Sequence, residues 1–162
     1  MTKYIGIAAV CENGGIGYKD HLLVHIKKDL KRFKELTWGK TVVYGRKTLY
    51  SFPKQKTLPG RTNLVLSKTL ETYDGADVLH SLDDLKKYAE VHDLDEVWVL
   101  GGSSVYEQLL PYMSELYLTK VSVSPVSDAF FPVLDTCWSC CEKGQDEEEN
   151  GIVFCFERWI KQ

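Results

Sequence analysis

The sequence predicts an α/β fold, with a central mixed sheet, mostly parallel but ending in an antiparallel C-terminal hairpin, flanked by about four helices. Three observations predict it. Short apolar runs of strand type alternate with helical patterns over the first two thirds of the chain, the layout of parallel strands joined by covering helices. From Glu115 onward strand-like runs follow one another without helices, as antiparallel neighbours do. The 162 residues, 44% of them hydrophobic, suffice for one compact domain over 1–162 with a substantial core and leave little room for a second.

Each element has a local reason. Tyr4–Val10 is an apolar run of buried-strand type, and Gly14-Gly15-Ile16-Gly17 follows it. A dinucleotide fingerprint would open a helix straight from these glycines, whereas Tyr18, Lys19 and Asp20 follow and the helical pattern begins only at Ile26. A mobile loop over a ligand and a plain turn both remain open here. Over Ile26–Thr37, Ile26, Leu30, Phe33 and Leu36 or Thr37 form an apolar stripe at helical spacing, with lysines on most of the remaining surface. Asp29 breaks the pattern, because at 100° per residue it falls between Phe33 and Leu36, on or beside the apolar face. A buried carboxylate needs partners. It can satisfy a hydroxyl or backbone N–H, or it can bind a cationic or amidine-like ligand or handle a proton; the helix alone leaves both readings open.

Further strands are expected at Thr41–Tyr44, Thr62–Leu66, Val97–Leu100 and, weakly, Asp77–Leu79. Ser81, with Asp84 three residues on, caps a helix with Leu82, Leu85 and Ala89 on one face. Ser104, with Glu107 at the capping-box position, starts another that ends by Pro111. Leu116, Leu118, Val121 and Val123 mark a strand. Val133–Cys141 and Ile152–Trp159 are expected to pair as the C-terminal hairpin around the loop Lys143–Gly151. The carboxylate run Asp146–Glu149 in that loop reads as a solvated turn, since like charges in sequence repel and prefer water.

Charge and cysteine usage exclude several classes. The net charge of −3 is too balanced for a histone-like nucleic-acid binder. It conceals a division, because residues 1–68 carry +10 and residues 69–162 carry −13. Such asymmetry points to an anionic partner on the basic side. No run approaches the roughly 18 apolar residues of a membrane span, and Tyr4–Val10 lacks the layout of a signal peptide, so a cytoplasmic protein without membrane partners is expected. Five cysteines fit reduced thiols better than a disulfide framework. Cys137, Cys140 and Cys141 lack a fourth zinc ligand at suitable spacing, and no metal is expected.

Two strand ends carry groups suited to phosphate. Thr41–Tyr44 runs into Gly45-Arg46-Lys47-Thr48, placing cations and a hydroxyl at the start of a short helix. Val97–Leu100 runs into Gly101-Gly102-Ser103-Ser104, where residues with little or no side chain let a pyrophosphate approach backbone N–H groups. Both lie at carboxyl ends of strands, where open α/β sheets bind ligands.

These motifs occur in an order that resembles dihydrofolate reductase. Ile7-Ala8-Ala9-Val10 with Gly15-Ile16-Gly17, Asp29-Leu30 with Phe33-Lys34, Gly45-Arg46-Lys47-Thr48, Leu58-Pro59-Gly60-Arg61, Gly101-Gly102 through Tyr106, Leu116-Tyr117-Leu118-Thr119, and Asp128 with Phe131-Pro132 carry the resemblance from Ile5 to the C-terminal strand. It implies an eight-stranded, mainly parallel sheet and NADPH-dependent reduction of 7,8-dihydrofolate to tetrahydrofolate. It implies a monomer, with antifolate inhibitors as further ligands and no nucleic-acid partner. By position, Asp29 is the acid that pairs with the pterin, and Thr119 is the hydroxyl of the same network. Ile7, Leu22, Leu30, Phe33, Phe52, Leu58 and Leu100 line the substrate pocket, Arg61 takes the glutamate α-carboxylate, and Tyr106 lies near the nicotinamide. Arg46, Lys47 and Thr48 with Ser67 and Lys68 surround the adenosine end and its 2′-phosphate, Gly101, Gly102, Ser103 and Ser104 meet the pyrophosphate, and Ala9, Ile16, Gly17, Gly45, Leu66, Val105 and Tyr106 are further cofactor-binding residues. The Gly101–Gly102 bond resembles the family's cis peptide.

The chain also departs from the family pattern. Leu22-Leu23-Val24 stands where Leu-Pro-Trp is common, Lys27 where proline is common, Tyr44 where methionine is frequent, and Ser104 where some members carry a cation. The missing indole removes a donor that would hold a water beside the substrate. Two other functions fit the same fold: a riboflavin-pathway pyrimidine reductase, against which Arg61 speaks because that substrate has no glutamate tail, and a non-catalytic folate- or nucleotide-binding module.

Overall fold

Apolar strands buried on both faces dominate the centre of the computed structural model, which describes all 162 residues. In chain order the strands are β1 Lys3–Cys11, β2 Gly15–Tyr18, β3 His21–Leu22, β4 Thr41–Gly45, β5 Thr62–Leu66, β6 Ala76–Leu79, β7 Glu96–Val99, β8 Met113–Val121, β9 Ala129–Phe130, β10 Trp138–Lys143, β11 Glu147–Glu149 and β12 Ile152–Lys161. The helices are α1 Lys27–Thr37, α2 Arg46–Ser51, α3 Leu82–Val91 and α4 Ser103–Leu109. The main sheet runs β10-β12-β8-β1-β7-β4-β5-β6, with β11 also paired to β12. The pairs from β8 through β6 are parallel, and β12 pairs antiparallel with β8, β10 and β11.

Alternation along each strand sends side chains to opposite faces, where helices cover them. Tyr4 and Val10 of β1, Val43 of β4 and Leu64 of β5 join Leu85 of α3 and Val105 and Leu109 of α4 in one core. Ile5, Val42, Tyr44 and Val65 face the other way and pack with Leu49 of α2, Trp98 and, at the edge, Leu36 of α1. The predicted mixed, mostly parallel sheet with four flanking helices is therefore present, and the early strand boundaries agree to within about a residue.

Several expectations change in detail. The main sheet has nine strands when β11 is counted, and β2, β3 and β9 form a second, three-stranded sheet. The glycine segment is thus partly strand: Gly15 and Gly17 pair with Phe130 and Ala129, too far along the chain for local patterning to reveal. Helix α4 starts from Gly102, not Ser104, because the Tyr106 N–H already bonds to the Gly102 carbonyl at 2.9 Å; Ser104 Oγ instead accepts from Gln108 Nε2, and Glu107 is exposed. The expected strand at Val133–Cys141 shrinks to Trp138 onward, since Asp135 Oδ1 accepts the Cys137 N–H at 2.9 Å and turns the chain there. The loop Lys143–Gly151 contains β11, because Asn150 (φ 52°) and Gly151 (φ 79°) form a two-residue turn that pairs Glu149 with Ile152. Its acidic run is therefore not simply a solvated turn. No helix is long and apolar enough to cross a membrane.

Candidate active site

The expected substrate residues come from several elements, and a hydrogen bond joins two of them, Asp29 of α1 and Thr119 of β8. Asp29 is the third residue of α1 and partly buried. Thr119, on β8 and only 2% exposed, donates its hydroxyl to Asp29 Oδ1 at 2.5 Å. The register puts Thr119 opposite Ala9 of β1, so the pair sits against the middle of the sheet. Burial raises the Asp29 carboxyl above its usual range, while the Thr119 hydrogen bond and the Arg32 guanidinium act the other way and only partly offset it. The sequence-level anomaly thus has one protein partner for one oxygen.

The expected apolar residues divide. Ile7, Phe52, Leu58 and Leu100 are partly buried and pack against the cluster of Ile5, Val42, Tyr44, Leu49, Val65 and Trp98. Phe52 meets Tyr44 edge-on, with ring centroids 5.0 Å apart. Tyr44 is fully buried and donates to Asn63 Oδ1 at 2.8 Å, which explains how a phenol is tolerated there. Phe33 is partly buried, whereas Leu22 and Leu30 are 55% and 46% exposed and are not drawn into the core. Leu23 and Val24, at the departure from the family pattern, pack against Cys11, Ile26, Val121 and Phe154.

Arg61 lies beyond the far end of α1 and is already oriented. Its Nε donates to the Pro59 carbonyl at 2.8 Å and an Nη to Thr37 Oγ1 at 3.3 Å. The guanidinium stands 5.4 Å from the Trp38 ring and 5.9 Å from the Phe33 ring. Gly60, at φ 73°, leaves room for Trp38, whose ring a Cβ there would strike. Sequence reasoning misses Trp38 and gives Thr37 only as an end of the apolar stripe of α1; the structure buries Thr37.

The dinucleotide-type residues gather at the carboxyl ends of β4, β5 and β7. The Gly45 N–H bonds to the Gly101 carbonyl at 2.9 Å, bringing the two glycine turns into contact, and the Gly101–Gly102 peptide is cis. A Cβ on Gly45 would lie 3.2 Å from Val105, and one on Gly102 would lie 3.6 Å from Thr48 Oγ1, so side chains would narrow the space between the turns. Gly45 and Gly102 are the N-caps of α2 and α4 and supply no side-chain cap, leaving first-turn N–H groups available. Arg46 and Lys68 are exposed; Arg46 donates to Thr69 Oγ1 at 2.9 Å, and Ser67 Oγ accepts from the N–H of Leu70 at 3.2 Å. Lys47 is 4.0 Å from Asp20, an exposed and weak pair. Leu66 and Val105 are buried, Ser103 is partly buried, and Ile16 and Gly17 lie on β2 at the rim. Tyr106 is buried, donates to the Ile7 carbonyl at 2.6 Å and packs against Phe131, with ring centroids 4.8 Å apart. That contact links the two groups of residues.

A further residue near Asp29 was missed from sequence. Arg32 lies over the rings of Phe156 and Tyr117, at 4.3 and 5.7 Å, and burial lowers its own pKa. A cation one turn from a carboxylate on the same helix was its only local signal.

The family model described as "Dihydrofolate reductase" matches residues 4–161. A "Dihydrofolate reductase" of Drosophila melanogaster is 36% identical over 173 aligned positions, covering 95% of this chain and 95% of that protein. One of Neisseria gonorrhoeae is also 36% identical, over 99% of both chains. A "Dihydrofolate reductase type 9" of Escherichia coli is 32% identical over 99% of this chain and 94% of the relative.

Proposed function

The chain belongs to the dihydrofolate reductase family and reduces dihydrofolate, and from that premise we propose that NADPH is its reductant and that the residues described above carry the reaction. The observation that carries this reading is the Asp29–Thr119 pair, a partly buried carboxylate with one oxygen bonded by protein and the other free for a ligand. A pterin presents its 2-amino group and N3–H side by side, a donor pair that suits a carboxylate. Thr119 fixes the direction of that carboxylate, and the packed wall of Ile7, Phe52, Leu58 and Leu100 excludes water from the ring. Arg61, held by Thr37 and Pro59, offers its remaining donors to the glutamate α-carboxylate.

The groups at the ends of β4, β5 and β7 fit a phosphorylated dinucleotide: uncapped N–H groups at two helix starts, glycine turns that side chains would narrow, and the cations Arg46, Lys47 and Lys68. When bound, NADPH supplies a hydride from nicotinamide C4 to pterin C6. In the same reduction N5 gains a proton, which we assign to water, because Asp29 engages the opposite end of the pterin and favours protonation through its charge. The same proposal takes residues 1–162 as one domain, acting as a cytoplasmic monomer in one-carbon metabolism, with antifolates as competing ligands and neither nucleic acid nor membrane as partner.

The direct test is loss of NADPH absorbance with dihydrofolate. Oxidation with this substrate supports the assignment; oxidation only with a ribosylaminopyrimidine would move the protein to the riboflavin-type reaction. Tight binding of both ligands without oxidation would mark a binding module.

A further inference from the structure

We propose that Glu149, on β11 of the C-terminal hairpin, is a positioning residue for Asp29: it caps α1 from across the molecule and holds the helix turn that carries the catalytic carboxylate. The inference rests on the pterin-binding role given to Asp29 above.

Helix α1 has no cap of its own. Its N-cap is Ile26, whose apolar side chain is 1% exposed and cannot accept a hydrogen bond. The first N–H groups of a helix have no intrahelical partner. Glu149 supplies one for two of them: Oε2 accepts the Lys27 N–H at 2.7 Å and Oε1 the Lys28 N–H at 3.3 Å. The carboxylate also lies at the positive end of the helix dipole. Beside it, the Lys28 ammonium pairs with Glu147, tying the same two segments together a second time.

Asp29 directly follows these two residues. Its first turn is therefore held on one side by Glu149 and on the other by Thr119. These two holds share one ladder. The turn at Asn150 and Gly151 fixes β11 to β12, with Glu149 opposite Ile152, and β12 pairs with β8, with Phe156 opposite Thr119. Glu149 is thus delivered by the same strand pair that delivers the hydroxyl partner of Asp29.

The backbone provides a way to separate the cap from the rest of Glu149's surroundings. Ile26 has φ −109° and ψ 115°, the extended conformation that a residue before proline requires. Proline is well suited to the first helical position because it lacks the N–H that would need a cap. Lys27→Pro should therefore remove the hydrogen bond to Glu149 Oε2 and stabilise the helix start without it.

The experiment compares Glu149→Ala, Glu149→Gln, Lys27→Pro and the double variant Glu149→Ala/Lys27→Pro in the full chain. Steady-state kinetics with dihydrofolate and NADPH are measured alongside native-state amide exchange at Lys28. Glu149→Ala is expected to raise the KM for dihydrofolate about fivefold, the effect of one lost cap, with the KM for NADPH unchanged. Glu149→Gln, which keeps an acceptor oxygen, is expected to lose about twofold. Lys27→Pro in the double variant should bring the KM back to within about twofold of the parent. An unchanged KM in Glu149→Ala, a parallel rise for NADPH, or no recovery with proline overturns the proposal. If the parent protein does not oxidise NADPH with dihydrofolate, the functional reading fails instead. The cap is then judged on exchange alone: about fivefold faster exchange at Lys28 in Glu149→Ala supports it, and unchanged exchange overturns it.

Discussion

The two walls of the candidate site treat charge differently. On the wall of α1, β1 and β8, Asp29 is partly buried and bonded to Thr119, and Arg61 is bonded to Thr37 and Pro59. On the wall built from the ends of β4, β5 and β7, Arg46, Lys47 and Lys68 stand exposed, and the partners described for them are surface ones, Thr69 for Arg46 and Asp20 for Lys47. The first wall holds its charges among buried and half-buried groups, at the cost of a poorly solvated carboxylate; the second keeps its cations at the surface, in water. Under the proposed function, the first meets a rigid ring and the second a flexible phosphorylated chain.

Changes on the first wall should therefore be the more damaging. The largest effect is expected from Asp29→Asn, which should lower kcat/KM for dihydrofolate about 100-fold or more at neutral pH while leaving the melting transition cooperative. An unchanged rate would remove the carboxylate from the reaction. Arg61→Ala should raise the KM for dihydrofolate about 30-fold but leave a tail-free dihydropterin within about twofold, since a bidentate charged contact is lost only in the first case. Equal losses would show that Arg61 shapes the wall instead of reading the tail. On the open wall, Arg46→Ala should weaken NADPH about tenfold and NADH hardly at all. A loss as large as that of Asp29→Asn would erase the contrast between the walls.

Two smaller effects concern the buried carboxylate itself. Thr119→Val removes a hydrogen bond that favours the ionised form, so the Asp29 titration, followed by NMR against Asp29→Asn, should move further up in pH. Folding should show the same tension. Burial holds the native Asp29 carboxyl above the ordinary aspartate value of about 3.9, so the native state disfavours ionisation relative to the unfolded chain. Stability from this group is fullest below that value, declines as pH rises through the window up to the raised native pKa, and is constant above it. Urea titrations should therefore find Asp29→Asn gaining on the parent protein between acid and neutral pH; a difference that does not change with pH would place the carboxylate in water.

What the sequence made legible follows from what is local. The buried strands are apolar runs, the α3 cap is Ser81 accepting from the Asp84 N–H at 3.1 Å, and Asp29 stood out because it interrupted a stripe. The remainder depended on contacts between distant segments. Gly15–Tyr18 carries no strand-like pattern and becomes β2 only beside Ala129–Phe130. Four successive acidic residues read as a solvated turn because nothing near them in sequence shows the uncapped end of α1. The Asn150-Gly151 pair was a local signal for that hairpin, outweighed by the charge of its neighbours. The orientation of Arg61 likewise depends on Thr37 and Trp38, residues of a different element.

The place of β1 in the sheet has a consequence for synthesis. Ile5 has Trp98 on one side and Glu115 on the other, both parallel partners, so neither edge of β1 can pair until β7, and then β8, has been made. At about 5 to 20 residues per second, that wait is roughly 5 to 20 s, during which an apolar strand with two open edges is exposed to other nascent chains. The central position that leaves β1 no free edge in the finished sheet leaves it two while the chain is being made, so its pairing is set by segments much later in the sequence.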